Sequence, residues 1–205
     1  MKKLILISAL LLFVASTNSW AYNETDLAKL RATNACKRCD LSEVNLKGAK
    51  LRNADLKGVN LRDANLEGAK LFQVYLVDAN LTGANLKGAK IRYANLRGAN
   101  FQDADLRGAN LKYSSLVDAN LKGADLSDAN LSHAKLQSAD LSDANLRNAN
   151  FYSTPLSDAN LTGADLTGAR FYLLTQKTGL TRGTIYCNTK MPDGNIRNDD
   201  CEYAD

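Results

Sequence analysis

Four cysteines, one histidine and 22 carboxylate side chains are the groups in this 205-residue chain that could react, titrate or hold a metal. Cys36 and Cys39 have the Cys-x-x-Cys spacing that serves disulfides, redox couples and half of a zinc site alike. Asp40 follows where c-type haem attachment needs histidine. Cys187 and Cys201 supply no second metal-spaced pair, which disfavours zinc and leaves oxidised and reduced states of Cys36 and Cys39 both open. Closing Cys187 to Cys201 would stabilise by about 3 kcal/mol in the chain-entropy view. His133 has no histidine partner and stands at an outward position, as a bystander rather than a base.

The element that positions these residues is a repeat. Every fifth residue from Leu41 to Phe171 is apolar, 27 in all, and 23 of them are Leu; the others are Ile91, Phe101, Phe151 and Phe171. Two residues before each stands a small one, Ala in 21 cases, with Cys39, Val44, Val59, Val74, Ser114 and Thr154 as the exceptions. A helix turning about 100° per residue would scatter leucines spaced by five around its surface. A flat strand would send alternate leucines to opposite faces. What remains is a short strand carrying Ala and Leu on one face, then a corner. Four such sides close a 20-residue square with Leu and Ala inside and Asn, Asp and Gly at the outer positions, where turns favour them.

The sequence resembles the pentapeptide-repeat family on these residues, for which Ala84-Asn85-Leu86-Lys87-Gly88 shows the unit plainly. The resemblance implies an all-β solenoid, a right-handed quadrilateral β-helix over residues 39–173. Twenty-seven repeats make about seven coils, a rod about 32 Å long at the spacing of paired strands. Open ends need covers. Residues 22–38, with Thr25 as helix N-cap and Leu27 and Leu30 on one face, are expected to form an N-terminal helical cap. Residues 174–205, with the Pro192-Asp193-Gly194 turn and the Cys187 to Cys201 loop, are expected to form a C-terminal tail with little regular structure and the repeat register lost. The cysteine-bearing segments also resemble flanks of exported members.

No metal or cofactor site emerges. On the side centred on Leu41 and Leu61, Asp63, Asp103 and Asp143 recur only on alternate coils, about 9.6 Å apart at twice the strand spacing, too far to share an ion. Asn60, Asn80, Asn100 and Asn120 recur on every coil there and suggest an amide ladder. A convex rod offers no cleft where nucleophile, base and oxyanion donors converge, which argues against an enzyme.

One side is chemically distinct. On the third, centred on Leu51, Leu71, Ile91 and Leu111, Lys50, Lys70 and Lys90 form one column, and Arg52, Arg92 and Lys112 another. That side and the fourth also hold the outward aromatics Phe72, Tyr75, Tyr93, Tyr113, Tyr152 and Tyr172. Cations interleaved with aromatics make this the candidate binding side for a protein, glycan or anionic polymer. Lengthwise, residues 41–112 carry 12 Lys and Arg against 7 acids and residues 113–170 carry 4 against 7, so an antiparallel homodimer would match opposite signs.

The N-terminus reads as an export signal. Met1-Lys2-Lys3 precedes an apolar run from Leu4 to Ala15, too short to cross a bilayer, and small residues precede a cleavage point after Ala21. Cleavage would leave a formal charge of +2 and place the chain in the periplasm or outside the cell. A binding or scaffold role is therefore expected. A DNA-mimicking topoisomerase ligand, an activity the resemblance also brings, is disfavoured by the export signal and the basic first half; no DNA partner is expected.

Overall fold

The computed structural model describes residues 22–171, 183–198 and 200–201. Residues 1–21, expected to be an export signal, Tyr172 and the end of the repeat at Leu173 lie outside the described residues. From Ala35 onward the backbone advances in five-residue steps, and each bridge residue pairs in parallel with the residue 20 positions on: Asn60 with Asn80, Asn80 with Asn100, Asn100 with Asn120. Four pentads therefore make one coil with four sides. Side one is centred on Leu41 and Leu61, side two on Leu46 and Leu66, side three on Leu51 and Leu71, side four on Leu56 and Leu76.

One pentad shows why the sequence folds this way. In Asn80-Leu81-Thr82-Gly83-Ala84, Asn80 N–H donates to Val59 O of the preceding coil (2.9 Å). Leu81 and Gly83 donate to Asn100 O (2.6 Å) and Gln102 O (2.9 Å) of the following coil. Ala84 donates back to Leu81 O (3.0 Å), closing the turn. Thr82 N–H would be left over, and the Asn80 side chain takes it at Oδ1 (3.1 Å). Five N–H groups thus find five acceptors, as buried backbone requires. Leu81 and Ala84 point inward and are fully buried.

The second turn residue has positive φ, +66° at Gly83. On side one that column alternates Asp63, Gly83, Asp103, Gly123, Asp143, Gly163, and a methyl group at Gly83 or Gly123 would collide with the carboxylate one coil earlier. The alternation is thus a packing rule. The expected amide ladder on this side is partial: Asn60 Nδ2 reaches Asp40 Oδ1 (2.9 Å) and Asn80 Nδ2 reaches Asn60 Oδ1 (3.3 Å). Capping the local turn is the column's more regular task, seen again at Asn100 and Asn120.

Where a hydroxyl replaces inward Ala, it satisfies itself on the neighbouring coil. Ser114 Oγ donates to Ile91 O and accepts from Ala94 N–H, while Thr154 Oγ1 donates to Leu131 O (2.7 Å).

Both ends differ from expectation. Helix α1 spans Glu24–Thr33, but its N-cap is Asn23, whose side chain accepts from Thr25 and Asp26 N–H; Thr25 is the second helical residue. Leu27 and Leu30 are buried against the first coil as expected. The solenoid already begins at Ala35, which bridges Asp55, so Cys36 fills a leucine slot and Cys39 an alanine slot. They are joined to each other, and Cys187 to Cys201. With both sulfurs bonded, no thiolate remains for zinc beside Asp26.

At the other end the register resumes rather than being lost. Asn160 pairs with Ile185 and Asp165 with Lys190, a spacing of 25, so a coil with five extra residues continues the helix. Thr184 and Thr189 take alanine slots with their hydroxyls on Leu156 O and Leu161 O (2.6 Å each), and Tyr186 takes a leucine slot. Strand β1, Thr189–Lys190, then pairs antiparallel with β2, Ile196–Arg197, across the Pro192-Asp193-Gly194 turn.

Replacing Gly123 by Ala is expected to destabilise the rod by about 1–2 kcal/mol, because a left-handed φ is imposed on a residue with Cβ. Urea unfolding measures it. Adding Asp103→Gly to remove the collision should recover only part of the loss.

Candidate functional site

The pentad rule identifies where it is broken. On sides one and two, every bridge residue from Asp40 to Asp165 is Asn or Asp and can cap its own turn. On sides three and four the rule fails at Lys50, Lys70, Tyr75, Lys90, Ser115, Lys135, Pro155 and Arg170. Ammonium and guanidinium groups cannot accept, so Arg52, Phe72 and Arg92 N–H lose their caps. The second turn residue departs as well: side two runs Gly48, Gly68, Gly88, Gly108, whereas side three holds Gln73, Tyr93, Tyr113, His133 and Ser153 at φ between 52° and 64°. Side chains of these types occupy that region at a cost.

What replaces the structural residues is a ladder. Tyr93 and Tyr113 stack with centroids 4.9 Å apart, and Tyr113 stacks on His133 at 4.9 Å. Phe72 meets Tyr93 edge-on and Tyr152 meets His133 edge-on, each at 5.4 Å. Rings stacked at coil spacing along the rod spend their faces on one another and turn their edges outward. Tyr93 and Tyr113 remain 45% and 40% exposed. Tyr75, the most exposed at 56%, stands at the corner with side four, sharing a groove with Gln73 and Tyr93.

Cations line this ladder. Lys50 pairs through its backbone with Lys70, and Lys70 with Lys90, giving three ammonium groups on successive coils. Arg52 lies 4.9 Å from the Phe72 ring centre, Arg92 5.4 Å from Tyr93, and Lys112 4.9 Å from Tyr113. Side three thus gathers all ten candidate residues except corner Tyr75. Two were missed. His133 is expected to be a bystander, yet it is a rung, because it holds the same second turn position as Tyr93 and Tyr113 on the next coil and stacks on Tyr113. Arg170 extends the lysine column past Asn110, Asn130 and Asn150.

Charge separates by side more sharply than by length. Between residues 50 and 170, side three has seven cations, Lys50, Arg52, Lys70, Lys90, Arg92, Lys112 and Arg170, and no carboxylate. Side one, opposite, has six carboxylates from Asp40 to Asp143, four of them between residues 50 and 170, against Arg62 and Lys122. Among the described residues none of the seven side-three cations forms an ion pair, whereas on side two Lys47 meets Glu67 and Arg147 meets Asp165. Arg107 Nε donates to Asp105 Oδ1 (2.8 Å), and that hydrogen bond holds the Asp105 carboxyl below the usual carboxylate range.

The family model for pentapeptide repeats matches eight copies over residues 39–76, 79–112, 114–152 and 154–172. The chain belongs to the pentapeptide repeat family. A pentapeptide repeat protein, Rfr23, from the cyanobacterium Cyanothece 51142 is similar at 31% identity over 57% of this chain and 92% of that one, with a TM-score of 0.55. HetL, a pentapeptide repeat protein involved in heterocyst differentiation regulation from Nostoc sp. strain PCC 7120, shares 35% identity over 80% and 76% of the two chains, with a TM-score of 0.39. QnrB1, a plasmid-mediated fluoroquinolone resistance protein, shares 21% identity over 74% and 78%, with a TM-score of 0.51, and supports the fold alone. No curated protein matches the sequence. Pentapeptide repeat proteins fold as right-handed quadrilateral β-helices, and this chain does so.

If side three departs from the pentapeptide rule for function, restoring the rule should stabilise. Lys70→Asn returns a turn cap and relieves two like charges, so a gain of about 0.5–1.5 kcal/mol is expected in urea unfolding. A loss would mean that the lysine column serves the fold.

Proposed function

We propose that this protein is an exported, non-enzymatic binding or scaffold protein that holds side three of a rigid β-helix of about seven coils against an extended partner. The observation that carries this is that, between residues 40 and 170, every abandoned turn cap lies on side three or side four. Random drift in a regular solenoid would spread such losses over all four sides. Family membership supports the non-enzymatic part, since pentapeptide repeat proteins are generally structural or binding proteins.

In this proposal residues 1–21 are removed, α1 and Cys36–Cys39 close one end, and the hairpin with Cys187–Cys201 closes the other. Bonded cysteines suit an oxidising compartment, the periplasm or the exterior. No helix among the described residues is long and apolar enough to cross a membrane. A DNA-mimicking role fits poorly. Side one is the acidic side, with six carboxylates against two cations, whereas one DNA strand about 32 Å long carries about nine phosphates.

Two measurements test the proposal. Trp20 is the only tryptophan, so protein purified from cells should lack indole fluorescence and start at Tyr22. Retained Trp20 would refute export with cleavage. Pull-downs from an envelope extract should then differ between wild type and a Phe72→Ala, Tyr93→Ala, Tyr113→Ala variant. Identical catches would remove side three as the binding face.

A further inference from the structure

We propose that side three binds a linear acidic polysaccharide laid parallel to the rod, its carboxylates on the cation columns and its hydroxyls along the aromatic edge. The inference rests on side three being the binding face and adds what that face is built to recognise.

The face is rich in cationic and neutral hydrogen-bond donors and carries no carboxylate between residues 50 and 170. Lys and Arg donate only. Asn110, Asn130 and Asn150 each commit Oδ1 to the N–H of Lys112, Ser132 and Tyr152, at 3.0 to 3.2 Å, which leaves the donor NH2 as the uncommitted end of each amide. The Tyr93 and Tyr113 hydroxyls meet no protein group among the described residues. Arg92 Nε is buried and has no acceptor, an orphan donor on the same face. A surface of donors and unpaired cations, free of carboxylates, fits a ligand made of acceptors and negative charge.

Ring orientation separates polyanions. Single-stranded nucleic acid is held by stacking bases on aromatic faces. Here both faces of Tyr113 are taken, by Tyr93 and His133, so the stacked rungs at the centre of the ladder offer no platform for a base. Outward ring edges and phenol hydroxyls instead suit a hydroxyl-rich backbone. The array repeats at the coil spacing, so it suits a periodic polymer better than a folded domain. It ends in an open groove of about 400 Å³ lined by Lys112, His133, Tyr152 and Arg170. Ligand clefts of roughly 300–1,000 Å³ are ordinary.

The test uses the purified mature protein at physiological ionic strength, where exposed charges more than about 8 Å apart are screened. Calorimetric titration is run with polygalacturonate, its fully methyl-esterified form, oligothymidylate and polyglutamate of matched charge. Polygalacturonate should bind, esterification should abolish binding, and the nucleic acid and peptide polyanions should bind about tenfold more weakly or worse. Lys70→Asn/Lys90→Asn, which restores two turn caps, should weaken polygalacturonate binding about tenfold, while Lys87→Gln/Arg107→Gln on side two, with the same loss of charge, should not. Absence of binding, equal binding of all three polyanions, or equal loss in both variants would overturn the glycan proposal. The envelope pull-down would still decide separately whether side three binds anything.

Discussion

A coil only one chain thick has no second layer to absorb its backbone N–H groups, so each must find an acceptor within the pentad or on a neighbouring coil. Four of the five are met by backbone carbonyls; the fifth, at the first turn residue, depends on a side chain. Asn or Asp at the bridge position answers that need, as Asn80 does for Thr82. The constraint explains why an outward, half-exposed position is so uniform on sides one and two, where burial cannot be the reason. It also converts lapses in uniformity into information, since a residue that cannot accept leaves an N–H to water and gives up a local restraint.

The period of five was enough to specify the coil, the inward Leu and Ala, and the turn positions, because all three follow from geometry that side-chain detail does not alter. The misses occurred where chemistry substituted for the usual residue. Cys36 fills a leucine slot but reads as a redox residue. Thr184 and Tyr186 carry the repeat onward, hidden by a five-residue insertion and by hydroxyl groups that look unsuited to a core until their bonds to neighbouring carbonyls are seen. Asn23 rather than Thr25 caps α1, since the two lie within one turn and either could. His133 is in register with Tyr93 and Tyr113, 20 residues apart, and was hidden as a rung because an imidazole reads as an acid–base group rather than as a ring that stacks. Sorting residues onto sides recovered the basic columns but could not show that the cations lack partners.

Side three combines features that each act against the rod. Like charges repeat at coil spacing in the Lys50, Lys70, Lys90 column, where cross-strand repulsion is expected. Tyrosines and a histidine occupy left-handed turn positions. Stacking returns part of this, since aromatic pairs contribute roughly 0.5–1.5 kcal/mol beyond area burial. It cannot account for the lysines, whose ammonium groups lie along the column without carboxylate partners. A face assembled for stability would place Asn or Asp in that column, as sides one and two do from Asp40 to Asp165.

A solenoid with one fixed translation imposes that translation on whatever it binds. Each coil places its outward side chains one strand spacing further along, so a periodic ligand can add contacts coil by coil while an irregular surface meets only a few. Rigidity strengthens this, because the donors are held by the backbone lattice and lose little further freedom on binding. The weak contribution of any single exposed charge is then no obstacle, since affinity accumulates along the row. Such a face discriminates by spacing and by what its aromatic rings withhold, and Tyr93 and Tyr113, packed face to face, withhold the platform that a nucleobase would need.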